Sequence, residues 1–137
     1  VENRQKRVNR MNSQVHVYII EDDVTMIGLL KTLLTMEGFR VTTYPQHSSM
    51  TMTDLLATDV PDVLILDVNL RDLDGMEILQ QVKADPRLKS VRILMSSGSD
   101  YKDICLKFGA DDFLLKPYMP DDLIKIIREL SASPLKT

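Results

Sequence analysis

Short apolar runs that stop abruptly at a charged or polar residue decide what this chain can fold into. Residues 15–20 (VHVYII) are rich in β-branched side chains and end at Glu21-Asp22-Asp23. Residues 63–66 (VLIL) are apolar throughout and end at Asp67. Runs this short, bounded this sharply, predict buried strands and not helices. Residues 91–95 form a similar run ending at Ser96-Ser97-Gly98, and residues 113–115 one ending at Lys116-Pro117. Residues 40–44 read as a strand stopped by Pro45. Helical spacing fills the intervals. It is carried by Met26, Ile27, Leu30, Leu33 and Leu34 in 24–37, with Gly38 at the C′ position. Met52, Leu55 and Leu56 mark a helix in 48–58, and Met76, Ile78, Leu79 and Val82 one in 76–84, ended before Pro86. A further helix is expected at 100–108, closed by Gly109. The last, at 120–130, opens with Pro120 at N1, has acids in its first turn and carries Arg128 near its end. Five strands alternating with five helices, the strands apolar on both faces, predict a doubly wound α/β fold: a five-stranded parallel sheet covered on both sides.

The chain length of 137 residues fits one domain. Its hydrophobic (44%) and charged (27%) fractions are those of an ordinary globular protein. A net charge of −3 gives no electrostatic reason to expect nucleic acid or membrane as a direct partner. Residues 1–14, with Arg4, Lys6, Arg7 and Arg10, read as a disordered basic tail. Met11 is a candidate natural start, and the residues before it are left out of fold reasoning. The expected domain is 15–131, with 132–137 a polar tail or the start of a linker. The single Cys105 excludes an internal disulfide, and with two histidines it leaves no tetrahedral zinc set. No apolar run approaches the ~20 residues needed to span a bilayer, and no secretory segment opens the chain. A cytoplasmic location is expected.

In an open parallel sheet, ligands sit beyond the carboxyl ends of the strands, where the strand order switches. Four of the five strands end in a reactive group: Glu21-Asp22, Asp67, Ser97 and Lys116. In the order 2-1-3-4-5 the first and third strands are neighbours, so Asp22 and Asp67 are expected to face each other. Three carboxylates at one sheet end repel, and at least one pKa rises unless a cation resolves them. A divalent cation together with the Lys116 ammonium brings the site to neutrality, poised to receive an anion. Phosphoryl transfer needs that neutralisation more than it needs covalent help. An oxygen-only donor set suits Mg2+, which keeps several of its waters, with Mn2+ as a substitute. A carboxylate is an accepted nucleophile toward phosphorus, and Asp67 stands at the centre of the arrangement. Ser97 offers a hydroxyl, and Gly98 an unobstructed amide, to a phosphoryl oxygen.

These segments resemble the receiver (response regulator) family. Residues 17–23 (VYIIEDD) look like its first strand and acidic pair. Residues 63–75 (VLILDVNLRDLDG) look like its third strand and following loop, 93–98 (ILMSSG) its hydroxyl segment and 109–117 (GADDFLLKP) its last signature. The likeness runs from about residue 15 to 130. It implies a flavodoxin-like (βα)5 fold with strand order 2-1-3-4-5 and phosphorylation at Asp67. Metal would be held by Asp22, Asp67 and the Asn69 backbone carbonyl, with Glu21 acting through water. Ser97, Gly98 and Lys116 would coordinate the phosphoryl group, Phe113 would be the switch aromatic, and the Lys116–Pro117 bond would be cis. It further implies a sensor histidine kinase or histidine phosphotransfer protein as donor. A downstream protein or an effector domain outside this chain would receive the output, and a phosphorylation-dependent homodimer is compatible with it. One departure stands out. The Ser97-to-Lys116 interval is shorter than in most of the family by close to one helical turn, so the fourth helix or its entry loop is expected to be truncated.

Plainer roles are expected for the remaining candidates. Asp23 should begin the first helix, Asp72 and Asp74 are loop acids, and Asp111 and Asp112 are surface charges. Ser96 competes with Ser97, and the strand register favours Ser97. His16 reads as a packing or pairing residue, His47 has no triad partners, Cys105 is a small apolar helix residue, and the methionines fill core gaps. Rival readings are a receiver-like interaction module that is not phosphorylated and the receiver fragment of a longer regulator. A nucleotide- or flavin-binding domain lacks the required glycine-rich loop here. An aspartyl phosphatase needs a second carboxylate where Asn69 stands.

Overall fold

The computed structural model describes residues 14–45 and 48–132; the basic cluster of the amino-terminal tail and His47 lie outside them. The elements are β1 (His16–Ile20), α1 (Val24–Met36), β2 (Arg40–Thr43), α2 (Met52–Thr58), β3 (Val63–Asp67), α3 (Gly75–Ala84), a 3-10 turn (Pro86–Leu88), β4 (Arg92–Ser97), α4 (Lys102–Lys107), β5 (Asp112–Leu115) and α5 (Pro120–Ala132). The strands form one parallel sheet in the order β2-β1-β3-β4-β5, as expected.

The central strands β1, β3 and β4 carry apolar residues on both faces because alternate residues feed two separate cores. Tyr18, Ile20, Leu64, Leu66, Ile93 and Met95 face one layer, which α2, α3 and α4 close with Leu56, Ile78, Leu79, Val82 and Cys105. Val17, Ile19, Val63, Ile65 and Leu94 face the other, closed by Leu30 and Leu34 of α1 and Leu123, Ile124 and Ile127 of α5. Each fully buried aliphatic side chain contributes about 1.5–3 kcal/mol relative to exposure.

Local chemistry sets where the helices begin. Asp23 caps α1 by accepting from the Met26 amide (3.1 Å), and Gly38 ends it at a φ of 91°. Residues 48–51 are not helical, contrary to expectation, because the Thr51 hydroxyl accepts from the Asp54 amide (3.2 Å) and starts α2 at Met52. Helix α4 is shorter at both ends than expected. Asp100 turns the chain by accepting from the Lys102 amide (3.1 Å), and Gly109 takes the left-handed conformation, φ 103°. The Ser97-to-Lys116 interval, where a truncation was anticipated, holds a helix of six residues. Asp111 is no mere surface charge: it accepts from the Ile93 amide (2.7 Å) and lies 3.7 Å from the Lys83 ammonium, tying β5 to β4. Among the described methionines Met95 is fully buried and Met26, Met52 and Met76 pack against the cores, whereas Met36, Met50 and Met119 are exposed, so core filling holds for four of the seven.

At the far end of the sheet from the reactive groups, His16 is buried, its Nε2 paired with Thr42 Oγ1 (2.8 Å). Its backbone amide donates to Asp62 (2.8 Å), and its Nδ1 lies 3.9 Å from an Asp59 carboxylate that Arg40 grips with two hydrogen bonds. Burial, reinforced by the Arg40 charge, lowers the imidazole pKa despite Asp59 and Asp62. The folded chain therefore favours neutral His16. That stability is fully present above the ordinary histidine value of ~6.5 and is lost as pH falls through the lower folded pKa. Denaturant midpoints measured from about pH 7 down to about pH 5 should fall for the native sequence and fall less steeply for His16→Gln. Equal slopes would remove His16 as the cause.

Candidate functional site

Parallel register delivers the polar strand ends to one place. Ile20 pairs with Leu66, Asp67 with Ser96, and Ser97 with Leu115, so Glu21, Asp67, Ser97 and Lys116 emerge together. The Lys116 ammonium donates to Glu21 Oε1 (2.5 Å) and to Asp67 Oδ2 (3.0 Å), joining β1, β3 and the end of β5. Both carboxylate residues are more than nine-tenths buried. Burial raises the Glu21 carboxyl, with the Asp67 charge adding to it and Lys116 opposing it. Burial pulls the Lys116 ammonium down, yet the hydrogen bonds and charges of Glu21 and Asp67 together outweigh it and hold it above its ordinary value.

The second oxygen of Asp67 accepts from the Asn69 amide (3.0 Å). The Asn69 side chain then reaches across to β4, where its Nδ2 donates to Ser97 Oγ (2.9 Å). Ser97 is wholly buried and also accepts from the Ser99 amide (3.1 Å). The Lys116 amide donates to the Ser97 carbonyl (2.8 Å), and the Lys116–Pro117 peptide is cis. Gly98 is exposed and open around its α-carbon.

Not every expected residue joins this cluster in the way the sequence suggested. Glu21, and not Asp22, shares a cation with Asp67. The Asp22 amide donates to Glu21 Oε2 (2.9 Å), and the Asp22 carboxylate accepts from the Arg71 amide in the loop after β3. Phe113 lies inward, 8% exposed, packed with Met95, Cys105 and Ala110 in the core. Among the described residues no three His, Cys, Asp or Glu side chains group closely enough to hold a metal by themselves. A small hard dication does not need three. Mg2+ keeps several of its waters, and Asp22, Asp67 and the Asn69 backbone carbonyl are the groups that could contribute oxygens to it here.

Two contributors were missed. Gly75 is the first residue of α3. A Cβ there would lie 2.1 Å from the Asp67 carbonyl oxygen and 2.7 Å from the Val68 α-carbon, so only glycine lets α3 start against the backbone of the central acid. Its D-G context was the available signal, but the contact is tertiary. Tyr118 lies near enough to respond to the same charges: burial raises its phenol pKa, Lys116 opposes, and Glu21 and Asp67 add to the rise.

Fold and charge cluster together define a phosphorylation-type receiver architecture, and comparison with known proteins agrees. Residues 17–128 match the family described as response regulator receiver domain, and the chain belongs to it. Such domains act as signalling switches of two-component systems and not as metabolic enzymes. Curated relatives include the transcriptional regulatory protein CreB of Escherichia coli K12, 32% identical over 83% of this chain and 49% of its own length. Response regulator MprA of Mycobacterium tuberculosis H37Rv is 30% identical over 85% of this chain and 50% of its own. The chain thus spans about half the length of these relatives. A response regulator structure from Chloroflexus aurantiacus J-10-fl superimposes with a TM-score of 0.78 at 28% identity, covering 88% of this chain and all of that one (100%). The receiver domain of a sensor histidine kinase from Pseudomonas aeruginosa PAO1 shares the fold (TM-score 0.76, 21% identity, 88% and 100% covered), and that protein carries a magnesium ion in its active-site cleft.

The two glycines Gly75 and Gly28 give opposite expectations. Gly75→Ala should lower unfolding stability by about 3 kcal/mol through the backbone clash. Gly28→Ala, in mid-helix with nothing within 4 Å of the new carbon, should raise it by up to about 1 kcal/mol. Denaturant unfolding of both variants checks this, and a neutral Gly75→Ala would show that α3 does not depend on that close approach.

Proposed function

We propose that this chain is the phosphoacceptor domain of a two-component or phosphorelay pathway, with Asp67 as the acceptor. The observation that carries the reading is the Asp67 carboxylate itself. It is held between an ammonium and a backbone amide, and beside it stands a buried hydroxyl on the next strand. A carboxylate oxygen of Asp67 attacks the phosphorus of a phosphohistidine on a sensor kinase or histidine phosphotransfer protein. The new O–P bond forms as the P–N bond breaks, and the imidazole leaves with the bonding pair and takes a proton from solvent. Lys116 offsets charge on the transferring group, and Ser97 and the Gly98 amide supply donors for its oxygens. Bound Mg2+, or Mn2+ in its place, would be held by Asp22, Asp67 and the Asn69 carbonyl, with Glu21 through water, and would neutralise phosphoryl charge.

The output is a change in a protein-docking surface around α4 and β5, where Ile104, Phe108 and Leu115 are exposed. The phosphorylated state would draw Ser97 and Phe113 toward the site, biasing a two-state surface. The reading takes 15–131 as the receiver domain and places it in the cytoplasm. It assigns no direct nucleic-acid contact to this domain and names a downstream protein, an effector domain or a second phosphorylated copy as recipient. Among the described residues no helix is long and apolar enough to cross a membrane. Incubation with acetyl phosphate and Mg2+, followed by intact-mass measurement, should add one phosphoryl equivalent to the native sequence and none to Asp67→Asn. Labelling should also fail without Mg2+. One full equivalent on Asp67→Asn would reassign the acceptor, and a native chain that never labels would favour an interaction module without phosphorylation.

A further inference from the structure

We infer that the Asn69 side chain is a positioning residue that turns the Ser97 hydroxyl into a committed hydrogen-bond donor for an anionic oxygen bound at Asp67; this rests on the Asp67 reading above. A hydroxyl has two lone pairs and one proton. Ser97 Oγ accepts from Asn69 Nδ2 at 2.9 Å and from the Ser99 amide at 3.1 Å, so both lone pairs are engaged. Its proton is the one capacity left, and among the described residues no acceptor takes it. A hydroxyl with a purely structural task spends its proton on a nearby carbonyl, as Thr58 does on Leu55 (2.6 Å). Ser97 does not, although it is wholly buried and a buried donor left unmade is costly.

The geometry gives that arrangement a direction. Asn69 holds Asp67 with its backbone amide (3.0 Å) and Ser97 with its side chain (2.9 Å), so a single residue fixes the acceptor carboxylate and the hydroxyl relative to each other across β3 and β4. A ligand with several anionic oxygens, bonded to Asp67, finds in Ser97 a hydroxyl whose proton neither of its two neighbours accepts. When Ser97 is drawn toward such a ligand, its proton is free to be donated and no competing acceptor has to be given up. Asn69 therefore acts at this site through its amide nitrogen as well as through its backbone.

A double-mutant cycle on labelling by acetyl phosphate at saturating Mg2+ tests this. Asn69→Ala and Ser97→Ala should each slow the rate about tenfold or more, and the double variant should be no slower than Ser97→Ala alone, because Asn69 acts through Ser97. Asn69→Asp, nearly isosteric but an acceptor where the donor stood, should slow labelling at least as far as Asn69→Ala. In the metal-free native protein the Asn69 side-chain amide resonances should shift on Ser97→Ala. Multiplicative losses in the double variant, native-like labelling of Asn69→Asp, or amide resonances that ignore Ser97→Ala would each overturn the assignment while leaving Asp67 as acceptor. A native chain that fails to label at all removes the Asp67 reading and this assignment with it.

Discussion

The Lys116 ammonium, shared between Glu21 and Asp67, is the interaction on which the working end of this molecule depends. The parallel register leaves no choice about where the strand ends go, so two carboxylates are brought together under cover. Either one, desolvated alone, would cost several kcal/mol or give up its charge. One cation reaching both resolves that conflict, and its backbone is fixed by donation to the Ser97 carbonyl (2.8 Å). The site is therefore a place where local electrostatics work against stability and tertiary structure compensates, which is the usual mark of a functional region.

The loop after β3 is built with matching economy. Asn69 and Asp74 bridge its two ends, Asp74 caps α3 through the Met76 amide (2.9 Å), and Gly75 lets the helix start against the Asp67 carbonyl. The Arg71 amide meanwhile satisfies Asp22. Strand β3 supplies Asp67, and its own loop supplies several of the groups around it. The Asp67 carboxylate is thus held on one oxygen by its own loop, through the Asn69 amide, and on the other by Lys116 from the end of β5.

Much of this was legible from the chain alone because the signals were covalently local. Apolar runs of strand length, interrupted by helical spacing, required a parallel sheet with two covered faces, and the sorting of Val17 and Ile19 from Tyr18 and Ile20 into opposite cores is that pattern in space. Strand-end placement also brought Glu21, Asp67, Ser97 and Lys116 to one edge. What escaped was decided by side-chain geometry across elements. Nothing in the order Glu21-Asp22 tells which acid turns toward Lys116 and which toward Arg71. The Asn69 contact with Ser97 spans two strands, and the Gly75 approach depends on how tightly α3 returns. The ends of α2 and α4 were misjudged because a short helix begins where a side chain caps it, and Thr51 and Asp100 each had other plausible roles.

The shared lysine also bears on how a change at Asp67 would travel. As a carboxylate, Asp67 carries one negative charge, and Lys116 divides its donors between it and Glu21. Converted to an acyl phosphate, the same position would carry up to about −2 at neutral pH, spread over three strong acceptor oxygens. The balance of attraction on Lys116 would then shift toward β3 and away from β1, leaving Glu21, whose carboxyl burial already raises, without its full counter-charge. Lys116 immediately follows Leu115, the exposed apolar end of β5, so whatever moves the ammonium is felt first at the sheet edge beside α4. Were Asp67 the acceptor, this half-buried cation would tie its chemistry to the β5 edge alongside any movement of Ser97 and Phe113.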